Sequence, residues 1–362
     1  MHNIVLANSI RLYRNVDSKK FVKNMSDEEL KNNLTELEEI VLNLGYEKVE
    51  LDKLSSLKKL ELIEKGRLDK KFIDRKYSGY YIKDGKPDIY INSYNHLEIA
   101  MSSKDKSLDE LYSEISELEE KLEDKIHFAF DPNFGYLSPN VLTSGTGLSF
   151  ISLLYLPALN YFGIKEMARG LSRLGYSLGS FRDRSNKAIG SIFTIGFEST
   201  FGEEEKSYIE KLKIIVSEIS DIEMENRKKL YLDNIITLED MVNRSYGILA
   251  NARLLSEEEM ISSMSNINLG IELSILKPNR EFDFFDEIQN LRNGHLQIER
   301  GSILDLKSRD ILRANKSRAL MREVFRWVCL EDLVRSLKQQ YFLLSRKLEN
   351  KSTHILVQNI FY

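Results

Sequence analysis

The chain has 362 residues, enough for two domains, and 42% of them are hydrophobic, which supports packed cores. Its 52 basic and 56 acidic residues are well mixed and leave a formal net charge of −4, so composition argues against non-specific nucleic-acid binding. One cysteine, Cys329, excludes an intramolecular disulfide and fits a reducing cytosol. Apolar runs are shorter than the roughly 18 residues that span a bilayer, and the histidine spacing does not suit zinc. We therefore expect a cytoplasmic protein with no membrane span, no nucleic-acid partner and no metal site.

Two amphipathic helices are predicted in the first third of the chain. Ser26 and Glu29 form a capping box, because the serine side chain can accept from the Glu29 amide while the glutamate reaches back. The apolar residues that follow at helical spacing are Leu30, Leu34, Leu37 and Val41, and Gly45 is a suitable stop. The second helix carries an even apolar stripe at Leu108, Leu111, Ile115, Leu118 and Leu122. At two heptads such a stripe is typical of the core face of a surface helix rather than of a coiled coil.

Strands are predicted where β-branched and aromatic residues cluster between turn formers. The three runs are KPDIYINSY (86–94), KIHFAF (125–130) and GSIFTIGF (190–197). The glycine-rich SGTGLS (144–149) predicts a tight turn before a buried helix. From about residue 205 the pattern is helical, with a further capping box at Ser256 and Glu259. The fold class is therefore α+β, with a first domain at 1–226 and a helical domain at 227–362.

Few residues suggest chemistry on spacing alone. His96, in NSYNHLEIA, has no acid or nucleophile placed beside it, so a hydrogen-bonded structural histidine is favoured over a catalyst. SGTGLS lacks the lysine and the spacing of a phosphate-binding loop. SFRDRSNK (180–187) is a small basic loop. A solvated loop is favoured over an anion-binding one. RDILRA places Arg309 and Arg313 on one helical face, which by itself indicates a surface salt-bridge cluster with Asp310.

Taken in order along the chain, several segments resemble one known family. NIVLANSIRLYRN resembles a family opening motif, I-V-L-S-S-R-I-R-L-A-R-N, and NSYNHLEIA stands where the family has N-E-E-D-H-(I/L)-R-I-Q. FDPNFGYLSPNVLTSGTGLSFISLLYLPAL resembles a segment that ends in G-T-G-L-R-A-S-V-M-x-H-L-P-A-L, and RSYGILANARLLSEEE and SNINLGIEL match as well. From about residue 3 to about 325 the chain thus resembles the bacterial protein arginine kinases, relatives of the phosphagen (ATP:guanidino) kinases.

The resemblance implies a twisted antiparallel sheet flanked by helices, followed by a helical domain. Family members transfer the γ-phosphoryl group of ATP to a protein arginine. Arginines hold the nucleotide phosphates and glutamates orient and deprotonate the substrate guanidinium, because phosphoryl transfer depends on positioning and charge neutralisation. A protonated guanidinium is a poor nucleophile, so a nearby carboxylate must take its proton.

Compared residue by residue with those motifs, the chain has lost most of this equipment. The family arginines that hold ATP are replaced by Ser9, Glu98, Ser149 and Gly179. The paired glutamates are replaced by Ser93 and Tyr94, and the later glutamate by Arg184. A family histidine and a family cysteine correspond to Gly66 and Asn140, whereas Arg11, Arg14 and His96 are retained. Glu98 is a charge reversal that would repel a triphosphate, so the resemblance implies a degenerate ATP site.

One motif of the family is intact. Its helical domain carries a phosphoarginine-binding pattern, R-D-x-x-R-A, which is complete here at residues 309–314. An arginine can bind the phosphoryl oxygens through two parallel hydrogen bonds, and an aspartate can pair with the cationic remainder of the phosphoguanidine. In this context we expect Arg309 and Asp310 to bind phosphoarginine, with Arg313 either a third contact or a structural partner.

The leading hypothesis is a pseudokinase that needs no cofactor and binds a phosphoarginine-bearing protein or peptide. Partners implied by the resemblance are an active paralogous kinase, its activator, a Clp-type chaperone and a second copy of the chain. The rival is an active kinase that uses ATP and Mg, with Arg11, Arg14, Arg182, Arg184 and Lys187 regrouped around the phosphates. It lacks an evident base, since only Asp183 and Glu98 lie near these segments. A third hypothesis is a purely structural interaction protein with an idle phosphoarginine motif.

Overall fold

The computed structural model describes residues 4–182 and 188–325, without the side chains of residues 181 and 182. Its strands are β1 (Val5–Arg14), β2 (Glu47–Lys48), β3 (Gly79–Ile82), β4 (Asp88–Ile91), β5 (Leu97–Ser103), β6 (Phe130–Asp131), β7 (Gly135–Tyr136), β8 (Leu148–Tyr155), β9 (Tyr176–Arg182) and β10 (Ala188–Phe197). Its α-helices are α1 (Asp27–Asn43), α2 (Ser56–Glu64), α3 (Lys70–Ile73), α4 (Leu108–Glu123), α5 (Pro157–Phe162), α6 (Ile164–Arg173), α7 (Glu205–Asn251), α8 (Glu257–Glu272), α9 (Phe284–Asn290), α10 (Asn293–Arg300) and α11 (Leu306–Val324).

Eight of the strands form one antiparallel sheet, in the order β2-β3-β4-β5-β1-β8-β10-β9, and β6 and β7 form a separate hairpin. β1 lies near the middle of the sheet, between β5 and β8. Helices pack on the sheet, and five further helices follow it along the chain. The expected α+β architecture, an antiparallel sheet with helices followed by a helical region, is confirmed.

The two predicted amphipathic helices form as expected. Ser26 accepts from the Glu29 amide and Glu29 accepts from the Ser26 amide, so the capping box that begins α1 is complete. In α4 the whole apolar stripe is buried in the main core with the inner side chains of β1 and β5. The stripe is therefore the core face of a helix on the sheet, and burial of that face rather than helix propensity stabilises it.

Two of the sequence predictions are wrong. The run after SGTGLS is not a helix but strand β8, which pairs with β1 on one side and with β10 on the other. A short apolar run has no periodicity that separates a buried strand from a buried helix, and here pairing on both sides decides the outcome. The run 125–130 is not a strand along its length, since its pairing consists of a bridge from Phe128 to Val16 and the start of β6.

The helical region begins with a helix of 47 residues. α7 crosses the domain boundary predicted at residues 226 and 227, and its one residue with non-helical backbone angles is Asn234. The boundary stays a prediction. At the start of α8 the Ser256 side chain accepts from the Glu259 amide, which is the serine half of the predicted capping box.

A buried ion network joins α7 to the sheet and to α8. Glu223 accepts from Arg227 Nε at 2.7 Å and from the backbone amides of Ala158 and Leu159. Arg227 also binds Glu272 and the backbone oxygen of Tyr155 at 3.2 Å. Because both α7 charges are fully buried, removal of either would leave an uncompensated ion in the core.

Residues 4–182 and 188–325 contain neither a membrane-spanning helix nor a metal-binding cluster. No helix in these ranges combines the length and the apolar character that a membrane span requires. The same ranges contain no group of three or more His, Cys, Asp or Glu side chains arranged to hold a metal ion.

Candidate functional site

The open face of the central strand β1 carries the opening-motif residues. Ile10 and Leu12 point into the core, so the alternate residues Ser9, Arg11 and Tyr13 lie on the opposite face. Arg11 is opposite Ala100 on β5 and Ser149 on β8, and Tyr13 is opposite Glu98. Pairing therefore brings together four of the sites selected from sequence: 9, 11, 98 and 149.

The loop between β4 and β5 is held by asparagines. Asn92 has a left-handed backbone (φ 53°), which asparagine tolerates better than most residues. Its Nδ2 donates to the backbone oxygens of Leu30 and Tyr77 at 2.8 and 2.7 Å, and its Oδ1 accepts from Asn33 at 2.7 Å. Because both the oxygen and the nitrogen of the Asn92 side chain are hydrogen-bonded, the loop is held in one conformation.

His96 is part of the same support. Its Nδ1 accepts from the Val16 amide at 2.9 Å, so in the neutral ring Nε2 carries the proton and donates to the Lys20 backbone oxygen at 2.8 Å. Burial lowers the pKa of His96 to about 4, which keeps the ring neutral. Both nitrogens are committed to backbone groups, which is the arrangement of a structural histidine.

Glu98 lies at the centre of the site and is only 2% exposed. Its Oε2 pairs with Arg11 NH1 at 3.0 Å, and its Oε1 accepts from the Tyr94 amide at 3.1 Å and from the Asn95 amide at 3.4 Å. One arginine and two backbone N–H groups are what an anion site would offer to a ligand. Here the carboxylate of the chain itself occupies it.

The Glu98 carboxylate changes the titration of its neighbours. Burial and, secondarily, the Glu98 charge raise the pKa of Tyr13 to about 12. Burial opposes ionisation of Arg11, yet Glu98 raises the pKa of Arg11 above its usual value. The Arg11 guanidinium also lies 4.9 Å from the centre of the Tyr90 ring. Arg11 is thus a fixed cation with an internal partner.

Ser93 and Tyr94 are the positions expected from the resemblance to correspond to the paired family glutamates. Ser93 is buried, and its backbone oxygen accepts a hydrogen bond from Arg75. Tyr94 is half exposed, with the Arg75 guanidinium 5.2 Å from its ring centre. Ser9 on β1, where the resemblance leads us to expect an arginine, accepts a hydrogen bond from Ser102 at 2.7 Å. None of these side chains is a general base at neutral pH.

Gly179, the replaced position at the start of the later loop, lies on the edge strand β9. A Cβ built at this position would be 2.6 Å from Oγ1 of Thr194 on the paired strand β10, so a larger residue requires that threonine to move. Arg184, Asp183 and Lys187, which were proposed for the loop beyond β9, lie outside the described residues.

Arg14 is retained but faces the core. It is 1% exposed; its Nε donates to Glu119 at 2.5 Å and its NH1 to the backbone oxygen of Thr146 at 2.9 Å. Its guanidinium lies 3.4 Å from the centre of the Tyr136 ring. Gly147 has φ +66°, and a Cβ there would be 2.4 Å from Arg14 NH1, so the glycine makes room for the arginine. Arg14 is therefore enclosed on the core side of the sheet, on the face opposite to Arg11.

A cleft of about 610 Å³ opens beside this centre. Arg11, Ser9 and Gly66 line it together with Arg67 and Asp88. Sequence reasoning missed Asp88, although the alternation in DIYI places it on the same face as Tyr90 and Glu98. Burial raises the pKa of Asp88, and Tyr80 Oη donates to its carboxylate at 2.8 Å. Asn140, the other replaced position, caps a short 3₁₀ turn by accepting from the Leu142 amide at 3.1 Å.

Arg313 of the intact motif is fully buried in α11. Its Nε donates to the Leu291 backbone oxygen at 2.9 Å, and its NH1 donates to the Leu255 backbone oxygen at 2.8 Å and to Asp310 at 2.7 Å. Its NH2 donates to the Asn293 side chain at 2.6 Å. The expected salt bridge with Asp310 forms, but it lies in the interior rather than at the surface, and Arg313 is a structural residue.

Arg309, one turn earlier, differs from Arg313. It is partly buried, and its Nε is enclosed without a hydrogen-bond partner among the residues that the structure describes. Buried donors are rarely left unpaired in folded proteins, so such a group calls for an explanation such as a ligand. The next residue, Asp310, accepts from Arg313 through Oδ1.

Two family models divide the chain between them. Residues 25–228 match the ATP:guanido phosphotransferase C-terminal catalytic domain, and residues 235–328 match the protein-arginine kinase McsB C-terminal domain. The chain is 31% identical over 330 residues to a protein named protein-arginine kinase from Bacillus licheniformis, with 89% of this chain and 90% of that protein covered. It belongs to the protein-arginine kinase family. A relative of the same name from Caldanaerobacter subterraneus is 29% identical over 323 residues, covering 86% of this chain and 95% of that protein.

Solved structures of phosphagen kinases share the fold. The duplicated taurocyamine kinase of Schistosoma mansoni with bound transition-state-analogue components superposes with a TM-score of 0.58 at 15% identity, over 71% of this chain and 38% of that one. Lombricine kinase superposes with a TM-score of 0.54 at 15% identity, over 62% of this chain and 67% of that one. At this identity the likeness supports the fold and nothing finer.

Proposed function

We propose that this protein-arginine kinase homologue is a pseudokinase that binds phosphoarginine through its helical region. It would act as a regulator or adaptor in a Clp-type protein quality-control pathway. Its partners would be phosphoarginine-bearing proteins and, by family resemblance, an active paralogous kinase, its activator, a Clp-type chaperone or a second copy of the chain.

One observation carries this proposal: Arg309 Nε is buried without a hydrogen-bond partner among the described residues. Asp310, which follows it in the motif, binds Arg313 through Oδ1. A phosphoryl group would accept from the Arg309 fork, and Asp310 Oδ2 would accept from the guanidino nitrogens of the ligand. Arg313 would support the site from beneath, because its own donors are already used.

The surroundings of Arg11 and Glu98 on the central strands support the proposal that phosphoryl-transfer activity is lost. Glu98 fills the anion site on Arg11, so a triphosphate would have to displace a buried carboxylate. Each missing contact to a transition state typically costs about 2.7–4 kcal/mol, although such losses do not simply add. Serine and tyrosine at positions 93 and 94 supply no base for the substrate guanidinium.

The alternative is an active kinase with a rebuilt site that uses ATP and Mg. The observation in its favour is the cleft of about 610 Å³, which Arg11 and Arg67 line together with Asp88. Burial raises the pKa of Asp88, as expected of a carboxylate recruited as a base. In this alternative Asp88 would take the proton that the family glutamates take.

Two calorimetric titrations of the full chain distinguish these functions. We expect phosphoarginine to bind and ATP–Mg to bind weakly or not at all. Arg309→Ala should abolish phosphoarginine binding, because charge-assisted hydrogen bonds contribute about 1.5–3 kcal/mol each. The matched control is Arg322→Ala, which removes an exposed arginine from the same helix. If phosphoarginine binds equally to wild type and Arg309→Ala, the binding proposal fails and a purely structural role remains.

Transfer is tested separately by mass spectrometry under conditions that preserve acid-labile phosphoarginine. An arginine-rich substrate incubated with the chain and ATP–Mg should gain no phosphoarginine beyond a control without ATP. Signal that depends on ATP and disappears in Asp88→Asn would overturn the pseudokinase proposal in favour of the rebuilt kinase. Asp183→Ala tests in the same way whether the other candidate base is used.

A further inference from the structure

Large apolar side chains are exposed on α7, on both sides of its kink. Leu232 is 65% exposed, Ile236 is 79% exposed and Tyr231 is 41% exposed. The residues that the structure describes therefore leave these side chains largely uncovered. Single exposed apolar residues are ordinary, whereas a group of them on one surface usually marks an interaction site.

Leu232 and Ile236 lie on the same side of α7 as Tyr246. Residues spaced alternately by three and four positions follow one side of a helix. We refer to the five residues with this spacing as the α7 stripe: Leu232, Ile236, Glu239, Asn243 and Tyr246. The helix bends at Asn234, between the first two members, and continues to Asn251. From Tyr246 to Ile236 the stripe extends for about 15 Å.

α11 ends beside the Tyr246 end of the stripe. The two helices run antiparallel, because the Ser317 hydroxyl donates to the Leu249 oxygen at 2.9 Å. Further along α11, the Phe325 ring centre lies 5.5 Å from that of Tyr246. The backbone of Phe325 is extended (φ −119°, ψ 117°), so the helix has ended there. A chain that continues in the direction of α11 would pass along α7 from Tyr246 toward Ile236.

Residues 326–362 follow Phe325 and lie outside the described part of the chain. Most of them also lie beyond the second family model, which ends at residue 328. Apolar residues recur in this segment at intervals of three and four: Leu330, Val334, Leu337, Tyr341, Leu344 and Leu348. The spacing predicts an amphipathic helix with an apolar face that requires a partner surface.

The segment and the surface around the stripe also carry opposite charge. Residues 230–246 of α7 include three carboxylates and one arginine: Asp233, Glu239, Asp240 and Arg244. Asp240 and Arg244 are exposed, and their charged atoms are 3.6 Å apart. Lys228 and Lys229 precede this stretch, and Lys229 Nζ lies 5.1 Å from the centre of the Phe162 ring. Segment 326–362 has six lysines and arginines against three aspartates and glutamates, so it is attracted to the acidic stretch of α7.

We propose that segment 326–362 folds back along α7 as an amphipathic helix and covers the α7 stripe. Both helices would rise equally per residue, so a segment that starts beside Tyr246 would bring Leu337 near Ile236. Four residues later, Tyr341 would lie near Leu232. The occupant of this surface is thus the chain itself rather than a second copy. The inference goes beyond the proposed function and uses no residue of the phosphoarginine motif.

The single cysteine of the chain, Cys329, lies in the segment and allows a cross-linking test on the full chain. Asn243→Cys places a second thiol on the stripe, at an exposed position. The matched control is Asn279→Cys, which is also exposed and near the end of α11, since the Asn279 amide donates to the Val324 oxygen at 2.7 Å. A short bismaleimide should join Cys329 to position 243 about tenfold or more faster than to position 279, because docking fixes which thiol is near.

A second pair of thiols tests the part of the segment that lies further from α11. The background is Cys329→Ser, and the new thiol in the segment is Lys338→Cys. It should cross-link to Thr237→Cys, which is exposed and lies next to Ile236. It should not cross-link to Lys277→Cys, an exposed position on the loop after α8. The bridged product should keep the mass of one chain on a denaturing gel.

Fluorescence gives an independent measurement, because the one tryptophan of the chain, Trp327, also lies in the segment. The double change Leu232→Ser and Ile236→Ser should shift the tryptophan emission to longer wavelength and increase its quenching by acrylamide, since the segment loses its apolar surface. The matched control, Val141→Ser with Leu142→Ser, removes exposed apolar residues from another part of the molecule and should leave both signals unchanged.

Three outcomes overturn the proposal. Cys329 could react equally fast with positions 243 and 279, or the stripe variant could leave the Trp327 fluorescence unchanged. In the third, the cross-linked product has the mass of two chains, and the stripe is then an interface between copies. Failure of Arg309→Ala to affect phosphoarginine binding would count against the proposed function alone, so the two ideas are tested independently.

Discussion

Arg11 and Arg309 both lie in segments that resemble family motifs, but their surroundings in the structure are opposite. Arg11 sits in a preformed anion site that Glu98 fills with a buried carboxylate and a bond of 3.0 Å. Arg309 has a buried Nε with no partner among the described residues. The difference teaches that an arginine in a motif is not necessarily available to a ligand. What matters is whether the chain supplies the anion or leaves that role to a ligand.

The largest expected effect concerns Arg313, the arginine beneath the motif. Arg313→Ala should lower the free energy of unfolding by about 3–5 kcal/mol, because it leaves Asp310 and two backbone oxygens without their buried donor. Urea unfolding followed by circular dichroism measures it, and Arg322→Ala should change stability by less than about 0.5 kcal/mol. Equal stability of Arg313→Ala and wild type would mean that Arg313 belongs with Arg309, as a residue that waits for a ligand.

The second effect tests whether the loop around Glu98 is held by a neutral histidine. The folded-state pKa of His96, about 4, is below its ordinary value of about 6.5. Between these values the unfolded chain binds the proton and the folded chain does not, so stability is lost as the pH falls through this window. The loss should approach about 3 kcal/mol.

The measurement is the free energy of unfolding of wild type, His96→Gln and His127→Gln across that window. The stability advantage of wild type over His96→Gln should shrink as the pH falls, whereas the exposed His127 serves as the control. If wild type and His96→Gln lose stability in parallel, then the histidine is not the group that couples the loop to pH.

The third effect concerns the selectivity of the Arg309 motif for phosphoarginine over inorganic phosphate. Asp310→Ala should narrow the preference for phosphoarginine over inorganic phosphate by about tenfold, because the guanidino end of the ligand loses a charge-assisted partner. Competition titrations on the full chain measure the ratio. An unchanged ratio would show that Arg309 recognises the phosphoryl group alone.

The smallest effect concerns Arg11, which is paired with Glu98. Glu98→Gln should free Arg11 from its internal anion, and Glu98→Arg should also add a phosphate contact, so affinity for ATP–Mg should rise in that order. We expect a gain of about fivefold for Glu98→Arg, which is about 1 kcal/mol. Glu47→Gln, which changes a carboxylate elsewhere in the same cleft, is the control. If neither Glu98 variant binds ATP more tightly, the cleft does not accept a nucleotide for reasons other than charge.

Sequence reasoning performed best where structure is local. The capping box at Ser26 and the apolar stripe of α4 depend on neighbours three or four residues away, and both form as predicted. It was wrong for β8, since the partners that make residues 148–155 a strand lie more than 30 residues away along the chain.

The sequence was sufficient to select most residues of the candidate site but not to predict the contacts between them. The replaced positions were found by resemblance, whereas the pair between Arg11 and Glu98, 87 residues apart, required the sheet register. Burial of Arg14 and Arg313 could not be read from spacing either, because charged residues are usually exposed. Asp88 was overlooked although its strand was predicted. Side chains two residues apart in a strand share a face, so Asp88 lies on the same face as Tyr90.

The ion network of α7 has a consequence for how the protein can be divided. α7 is kinked at Asn234, and before that kink Glu223 and Arg227 tie the helix to β8, α5 and α8. A cut near residue 226 would separate Glu223 from Arg227 and leave a buried ion on each fragment. The two parts of the chain that match separate family models are therefore linked by buried ion pairs, and we expect a cut at residue 226 to destabilise both fragments.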